Sequence, residues 1–184
     1  TIDVAEAPAF TLRINSGGPT IVDGATTWED DAPYVSGGSD FNFGSSSIDT
    51  TTNSIAAPVP PLAVLNTVRH RDHTFDIPSV PDGIYTVRII WTDANGGDRQ
   101  MDYEIEGVLV LEDWNIVAEA GGTNIAVERE FEVTVSDGNG MQIEAFKGSG
   151  NDVFESAIEI ISLQAEDEAP IITILGDNPA SVEV

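Results

Sequence analysis

The chain has only two histidines, and they stand three residues apart, His70 and His73 in R-H-R-D-H. Imidazoles this close can hold a metal or share acid–base duty. In a regular strand, however, a spacing of three sends the two rings to opposite faces. With no cysteine in the chain and no third ligand implied, a metal centre is not the expected outcome. Glu29, Asp30 and Asp31 form a carboxylate run, but carboxylates are spread along the whole chain, so none stands out as the pair a glycosidase needs. No G-x-S-x-G elbow and no phosphate-cradling glycine loop occurs, and the chain reads as non-catalytic. Hard oxygens clustered on turns leave calcium open as an alternative: Asp93, Asn95 and Asp98 in D-A-N-G-G-D, or Asp137 and Asn139 in D-G-N-G. The same D-G and N-G pairs are ordinary hairpin turns, and no other cofactor is implied.

The elements that must carry these residues are strands. From Val127 to Val135, V-E-R-E-F-E-V-T-V puts Val127, Phe131, Val133 and Val135 on one face and Glu128, Glu130, Glu132 and Thr134 on the other. Met101, Tyr103 and Ile105 alternate in the same way with Asp102 and Glu104. Residues 84–92 are β-branched and aromatic enough for a strand buried on much of both faces. Tyr85 and Trp91 alternate there with Val87 and Ile89, which favours core packing, and Trp114 is also assigned to the core. Further strands are expected near 10–14, 64–69, 73–77, 107–111, 140–146 and 154–163, with a helical turn at 116–120. Turn sequences such as Pro81-Asp82-Gly83 and Asn95-Gly96-Gly97 separate them. Short strands, frequent turns and no long amphipathic helix give an all-β antiparallel β-sandwich of jelly-roll type. Residues 36–63, rich in Ser, Gly, Thr and Pro, read as a long surface loop, and Trp28 sits in an acidic, turn-rich stretch where it either packs down or stacks on a ligand.

Against 32 Asp and Glu stand 7 Lys and Arg, a formal charge of −25 on 184 residues. Such a surface repels a phosphate backbone and an anionic leaflet, so neither nucleic acid nor membrane is an expected partner. Hydrophobic content of 41% is too high for a disordered acidic tail, so the charge must decorate a folded body. No apolar run reaches the length that spans a bilayer. Acid excess with a single lysine, Lys147, fits a secreted or cell-surface protein from a saline environment. The chain opens at Thr1 without an initiator Met or a basic leader, so it is expected to be a piece of something longer.

Several stretches in order resemble malectin-type domains. L-R-I-N-S-G-G at 12–18 and D-G-A-T-T-W-E-D-D at 23–31 resemble the family's opening. N-T-V-R-H at 66–70, T-F-D-I-P at 74–78 and P-D-G-I-Y-T-V at 81–87 follow. N-I-V-A-E-A-G-G at 115–122, E-F-E-V-T-V-S-D-G at 130–138 and S-A-I-E-I-I at 156–161 complete the set. The resemblance covers residues 9–163, after an N-terminal lead-in at 1–8. It implies a jelly-roll module that binds carbohydrate without catalysis, through loop aromatics and an aspartate. Carried over residue by residue, one family tyrosine falls on Phe41 or Phe43 and another on His70. The family's aromatic pair falls on Asn95 and Gly96, so both rings are missing, and its aspartate falls on Asn151 or Asp152.

A pyranose offers an apolar C–H face and a rim of hydroxyls, which call for a flat ring and for Asp or Asn acceptors. Trp28, Phe41, Phe43, His70, Asn95, Asn151 and Asp152 are therefore the candidate site for a neutral oligosaccharide or polysaccharide. The alternative is a structural or adhesive spacer that has lost the sugar site. Residues 164–184 read as an acidic linker followed by A-P-I-I-T-I-L-G-D-N-P-A-S-V-E-V, which resembles the first strands of bacterial immunoglobulin-like surface domains. The partners implied are then a glycan and neighbouring domains of the same chain.

Two outcomes follow from the charge and the tail. Melting temperature should rise between low salt and ~1 M NaCl, because added ions screen the repulsion of a −25 surface; a flat or falling trend would mean that local ion pairs outweigh it. Deleting the residues after Leu163 should move the melting temperature by no more than about 3 °C, under ~1 kcal/mol for a domain of this size.

Overall fold

Alternation of apolar and acidic residues builds the strands that the sequence shows most plainly, and the computed structural model places them in two facing sheets. Its description covers residues 9–44, 48–50 and 55–163. The lead-in at 1–8 and the linker and immunoglobulin-like resemblance at 164–184 lie outside the described residues.

The strands are β1 (Thr11–Asn15), β2 (Ile21–Asp23), β3 (Thr26–Asp30), β4 (Val35–Asn42), β5 (Thr67–Ile77), β6 (Gly83–Trp91) and β7 (Gln100–Ile105). They continue as β8 (Val108–Asn115), β9 (Val127–Val135), β10 (Met141–Lys147), β11 (Phe154–Glu155) and β12 (Ala157–Ser162). One sheet runs β2-β3-β1-β12-β6-β9, and the other runs β11-β5-β10-β7-β8 with β4 added on β5. Pairing is antiparallel except for β1 with β3, so the fold is the all-β sandwich expected. Two short helices interrupt it, α1 (Leu62–Leu65) and α2 (Ile116–Ala120). Asn115 caps α2 by accepting the Ala118 N–H at 2.9 Å, and Gly121 closes it in the left-handed region, φ 77°.

The main core lies between the sheets: Ile14, Val87, Ile89, Trp91 and Ile158 from one, Phe75, Met101, Tyr103 and Ile143 from the other. Tyr85 and Trp91 are core, as their spacing predicted, and so is Trp114, as expected. Full burial of side chains of this size contributes about 1.5–3 kcal/mol each.

Several expectations need correction. The long loop expected at 36–63 begins with a strand: β4 pairs with β5 from Val35↔Phe75 to Asn42↔Thr67. Its Ser and Gly composition conceals it, and Gly37 and Gly38 (φ 80° and 62°) mark the irregularity where the register shifts. Nor are 64–69 and 73–77 separate strands. They are α1 followed by the single strand β5, which carries Arg71 at φ 74°. The acidic stretch around Trp28 is the hairpin β2–β3, and Trp28 is 1% exposed. It packs in a second, smaller core with Ile48, Ile55, Val64, Leu65, Ile90 and Ala157, so its ring has no face to give a ligand.

Ala56 and Pro58 lie against a charged ladder that crosses the first sheet. Arg13 Nε meets Glu159 Oε1 at 2.5 Å, Arg88 Nη1 meets Glu159 Oε2 at 3.0 Å, and Arg88 Nε meets Glu128 Oε2 at 2.6 Å. Arg88 also donates to the carbonyls of Ala56 and Pro58, and the Ala56 N–H returns to Glu128. Glu159 is 1% exposed and Arg88 3%. Arg88→Ala, which strands Glu159 without its partner, should cost about 3–5 kcal/mol in urea denaturation, and Arg88→Met with Glu159→Leu should recover most of that loss. A loss below ~1 kcal/mol in the single variant would show that the ladder does not hold the overlying segment.

Candidate functional site

Phe154, in the two-residue strand β11, is the residue on which the candidate rings converge. Its ring is 2% exposed and belongs to the main core. β11 pairs with the first half of β5, Phe154 opposite His70 and Glu155 opposite Arg69. The neighbouring carboxylate fastens the strand: Glu155 is buried, accepts the Ser16 hydroxyl at 2.7 Å, and lies 3.8 Å from His73 Nε2. Burial first, and then the Glu155 charge, push the Tyr103 phenol well above its ordinary range.

β5 brings both histidines to one side. Val68 and His70 share a face by alternation, as do His73, Phe75 and Ile77, and Val68, Phe75 and Ile77 are all core. The extra residue at Arg71, with positive φ, reverses the parity between the two halves. The sequence reading of opposite faces is thus corrected: His73 is sealed inside with its Nδ1 at 2.7 Å from the Arg71 carbonyl, and His70 stands near the surface.

Around Phe154 the aromatic residues close up. Phe41 stacks on it at 5.8 Å with 21° between planes, His70 meets it edge-on at 5.1 Å, and Phe43 meets it at 5.6 Å. Phe41 and Phe43 touch each other at 5.4 Å, and Phe41 is 37% exposed. Asp152 completes the group, its Oδ2 at 3.0 Å from His70 Nε2 with half of its side chain in solvent.

The loop bearing Asn151 and Asp152 is tied down before any ligand arrives. The Gly148 N–H donates to the Gln100 carbonyl, the Ser149 N–H to Asp113 Oδ1, and the Asn151 N–H to the Asp98 carbonyl. The Ser149 N–H and hydroxyl hold the Asp113 carboxyl below its ordinary range. Through the Asn151–Asp98 bond this loop adjoins the turn that carries Asn95. Asn95 and Asn151 are both exposed and lie on those two loops.

The calcium candidates are committed elsewhere. Asp93 is 1% exposed; its Oδ1 accepts the N–H groups of Asn95 and Gly96, and its Oδ2 accepts the Gly97 N–H and Arg99 Nε. A cation there would have to displace four donors. Asp98 faces the Asn115 amide at 3.4 Å. Asp137 accepts both the N–H and the amide of Asn139, donors that hold its carboxyl below the ordinary range. Among the described residues no cluster of three His, Cys, Asp or Glu is arranged to hold a metal.

A groove of about 550 Å³ lies elsewhere, bordered by Gly17, Asp30, Asp31, Asp40 and Arg69. Its charges satisfy one another: Arg69 forks onto Asp31 at 2.6 and 2.9 Å and reaches Asp40 at 2.8 Å. Burial raises the Asp31 carboxyl above its ordinary range, against the pull of Arg69 and the Gly17 N–H. It holds no exposed aromatic face for a sugar, whereas the Phe41–His70–Asp152 cluster has both a ring and a free carboxylate edge. Of the residues expected from the sequence, the structure brings Phe41, Phe43, His70 and Asp152 together, and it adds Phe154 and Arg99, which the sequence did not single out. Phe154 follows Asp152 by two residues in D-V-F, the one local signal that could have drawn notice.

The comparisons with known proteins agree on the fold. No curated protein matches the chain. Among solved structures, the Arabidopsis thaliana ANX2 ectodomain superposes with a TM-score of 0.74 at 17% identity, covering 86% of this chain and 52% of that one. The structure of the plant peptide RALF23 in complex with FER and LLG2 gives 0.72 at 17%, covering 91% and 52%. A Bacteroides uniformis beta-glucuronidase gives 0.66 at 20%, covering 84% of this chain and 18% of that enzyme. The chain thus spans about half the length of the plant ectodomain chains. The malectin domain model matches residues 10–173, nearly the whole length, and this chain belongs to the malectin domain family.

Proposed function

We propose that this chain is a non-catalytic carbohydrate-binding module whose site is the cluster of Phe41, Phe43, His70 and Asp152 over Phe154. One observation carries the reading: Phe41 is partly exposed while stacked on a buried ring, beside a carboxylate held by an imidazole. An exposed ring gives a pyranose C–H face a flat surface, and the open side of Asp152 gives its hydroxyls an acceptor. The pinned loop supplies the order that a shallow site needs, since ordering it upon binding would cost affinity. A neutral pyranose unit fits this part of the site. The Asn95 turn and Asn151 flank it as further hydroxyl partners. The setting that suits such a module is a secreted or cell-surface multidomain protein, with neighbouring domains as partners. Among the described residues no helix is long and apolar enough to cross a membrane. The bacterial, saline origin and the jelly-roll strand order expected from the sequence belong to the same proposal.

A second reading, a spacer with no working site, is favoured by Asn95 and Gly96, which stand where the resemblance implies two rings.

Titration calorimetry against neutral oligosaccharides separates the two. Binding with Kd of about 10 μM to 1 mM is expected, because one or two stacked rings contribute little beyond the cost of association. Phe41→Ala and His70→Ala should each weaken it about 5- to 10-fold without unfolding the domain, as loss of one ring contact predicts. Trp91→Ala serves as the structural control and should instead destabilise the fold by about 3–5 kcal/mol. Silence across neutral and acidic glycans alike, or loss of binding only in the destabilised variant, would favour the spacer.

A further inference from the structure

Arg99 is a cation held in place with its hydrogen-bonding edge unused. Its guanidinium carbon lies 3.5 Å from the centre of the Phe154 ring, the ring on which Phe41 stacks. From Gly97 it has backbone close by: a Cβ there would come within 3.0 Å of the Arg99 Cζ and 3.1 Å of Nη2. Its Nε donates to Asp93 Oδ2 at 2.8 Å, and Asp93 is in turn fixed by three backbone N–H groups. The whole residue is only 9% exposed. The two Nη groups find no acceptor among the described residues, yet neither is among the unpartnered atoms sealed from solvent. A planar, immobilised fork whose Nη groups lack an acceptor among the described residues and are not wholly sealed from solvent is suited to bidentate recognition of a carboxylate.

We infer that Arg99 is a ligand-binding residue of this site and that the group it takes is the carboxylate of a uronic acid unit, one unit from or on the sugar that covers Phe41. The inference rests on the proposed sugar site and specifies its ligand class as an acidic glycan. Asp93 already balances the Arg99 charge, but a carboxylate would satisfy both unpartnered Nη groups with charge-assisted bonds where neutral hydroxyls offer weaker acceptors. The −25 charge of the chain does not forbid this. At physiological salt, charges beyond ~8 Å are largely screened, and a contact at the fork is not. An acidic ligand is thus selected by one local cation on an otherwise repelling surface, which excludes polyanions that cannot reach the fork.

The test uses the whole chain and paired ligands: hexasaccharides of galacturonic, guluronic and glucuronic acid, and the same three with every carboxyl reduced to the alcohol. At least one uronate should bind about tenfold tighter than its reduced counterpart, the value of one charge-assisted contact. Arg99→Gln and Arg99→Lys should each erase most of that preference. The paired ligands keep the inference open to refutation even where a variant at this buried position fails to fold. Equal binding of a uronate and its reduced form, or reduced forms binding while uronates do not, would overturn the inference and leave the sugar site standing. Silence of all six hexasaccharides overturns the inference, and with silence across the neutral glycans above it would remove the sugar site as well. A uronate preference that survives Arg99→Gln in a folded protein would also overturn it.

Discussion

The ring of Phe154 belongs to the core and to the candidate site at once, and most of the surrounding construction follows from that double membership. A ring 2% exposed has to be supported from below by the sandwich, which ties its position to the packing of both sheets. The same ring also meets Phe41, Phe43, His70 and the Arg99 guanidinium, residues that arrive from β4 and its end, from β5 and from the turn before β7. None of those four could keep its place on a loop alone. A core residue used as a floor converts the rigidity of the interior into fixed geometry at the surface.

Reaching that ring imposes a constraint on β5. A strand with uniform alternation would turn either His70 or His73 away from the interior, and the single extra residue at Arg71 lets both halves face inward. The two histidines then take different surroundings, one sealed beside Glu155 and one at the surface beside Asp152. Glycine makes the matching accommodation possible on β4. Gly37 lies at φ 80°, and a Cβ there would come 2.9 Å from the Asp72 carbonyl, so a larger residue would press on β5 at the bulge.

Scarce cations are the second organising feature. Arg13, Arg69, Arg88, Arg99 and Arg129 each meet a carboxylate at 2.5–2.8 Å, and three of these pairings serve acids that are almost sealed, Asp31, Asp93 and Glu159. In so acidic a chain the surface carboxylates are left to solvent and salt, while the arginines go where an unpaired acid would cost several kcal/mol. Arg99, like Arg13, pairs through Nε alone, and among the described residues its two Nη groups make no hydrogen bond; it differs from Arg13 in being nearly buried against the Phe154 ring.

Strands written as strict alternation, β7 and β9 above all, were legible because their acidic faces admit only one orientation. β4 was not, since a Gly and Ser strand has neither β-branched residues nor an apolar face to announce it, and its partner had to be known first. The same long-range dependence hid Trp28, whose burial is supplied in part by Ile48, Ile55, Val64 and Leu65, far from it in sequence. Phe41 and Phe43 stood out as rings in a stretch where no core period required them, and the resemblance brought in His70 and Asp152. Phe154 was invisible as a site residue because it reads as core, which it also is, and nothing in D-R-Q marks Arg99 as more than a surface charge. The claim that all of these form one site is tested most directly by following side-chain and backbone NMR signals of the whole chain during titration with a bound oligosaccharide. The account predicts that the shifts converge on Phe41, Phe43, His70, Asp152 and the Arg99 guanidinium, with Phe154 moving beneath them. Shifts centred on the groove of Gly17, Asp31 and Arg69, with the Phe154 cluster unmoved, would contradict it.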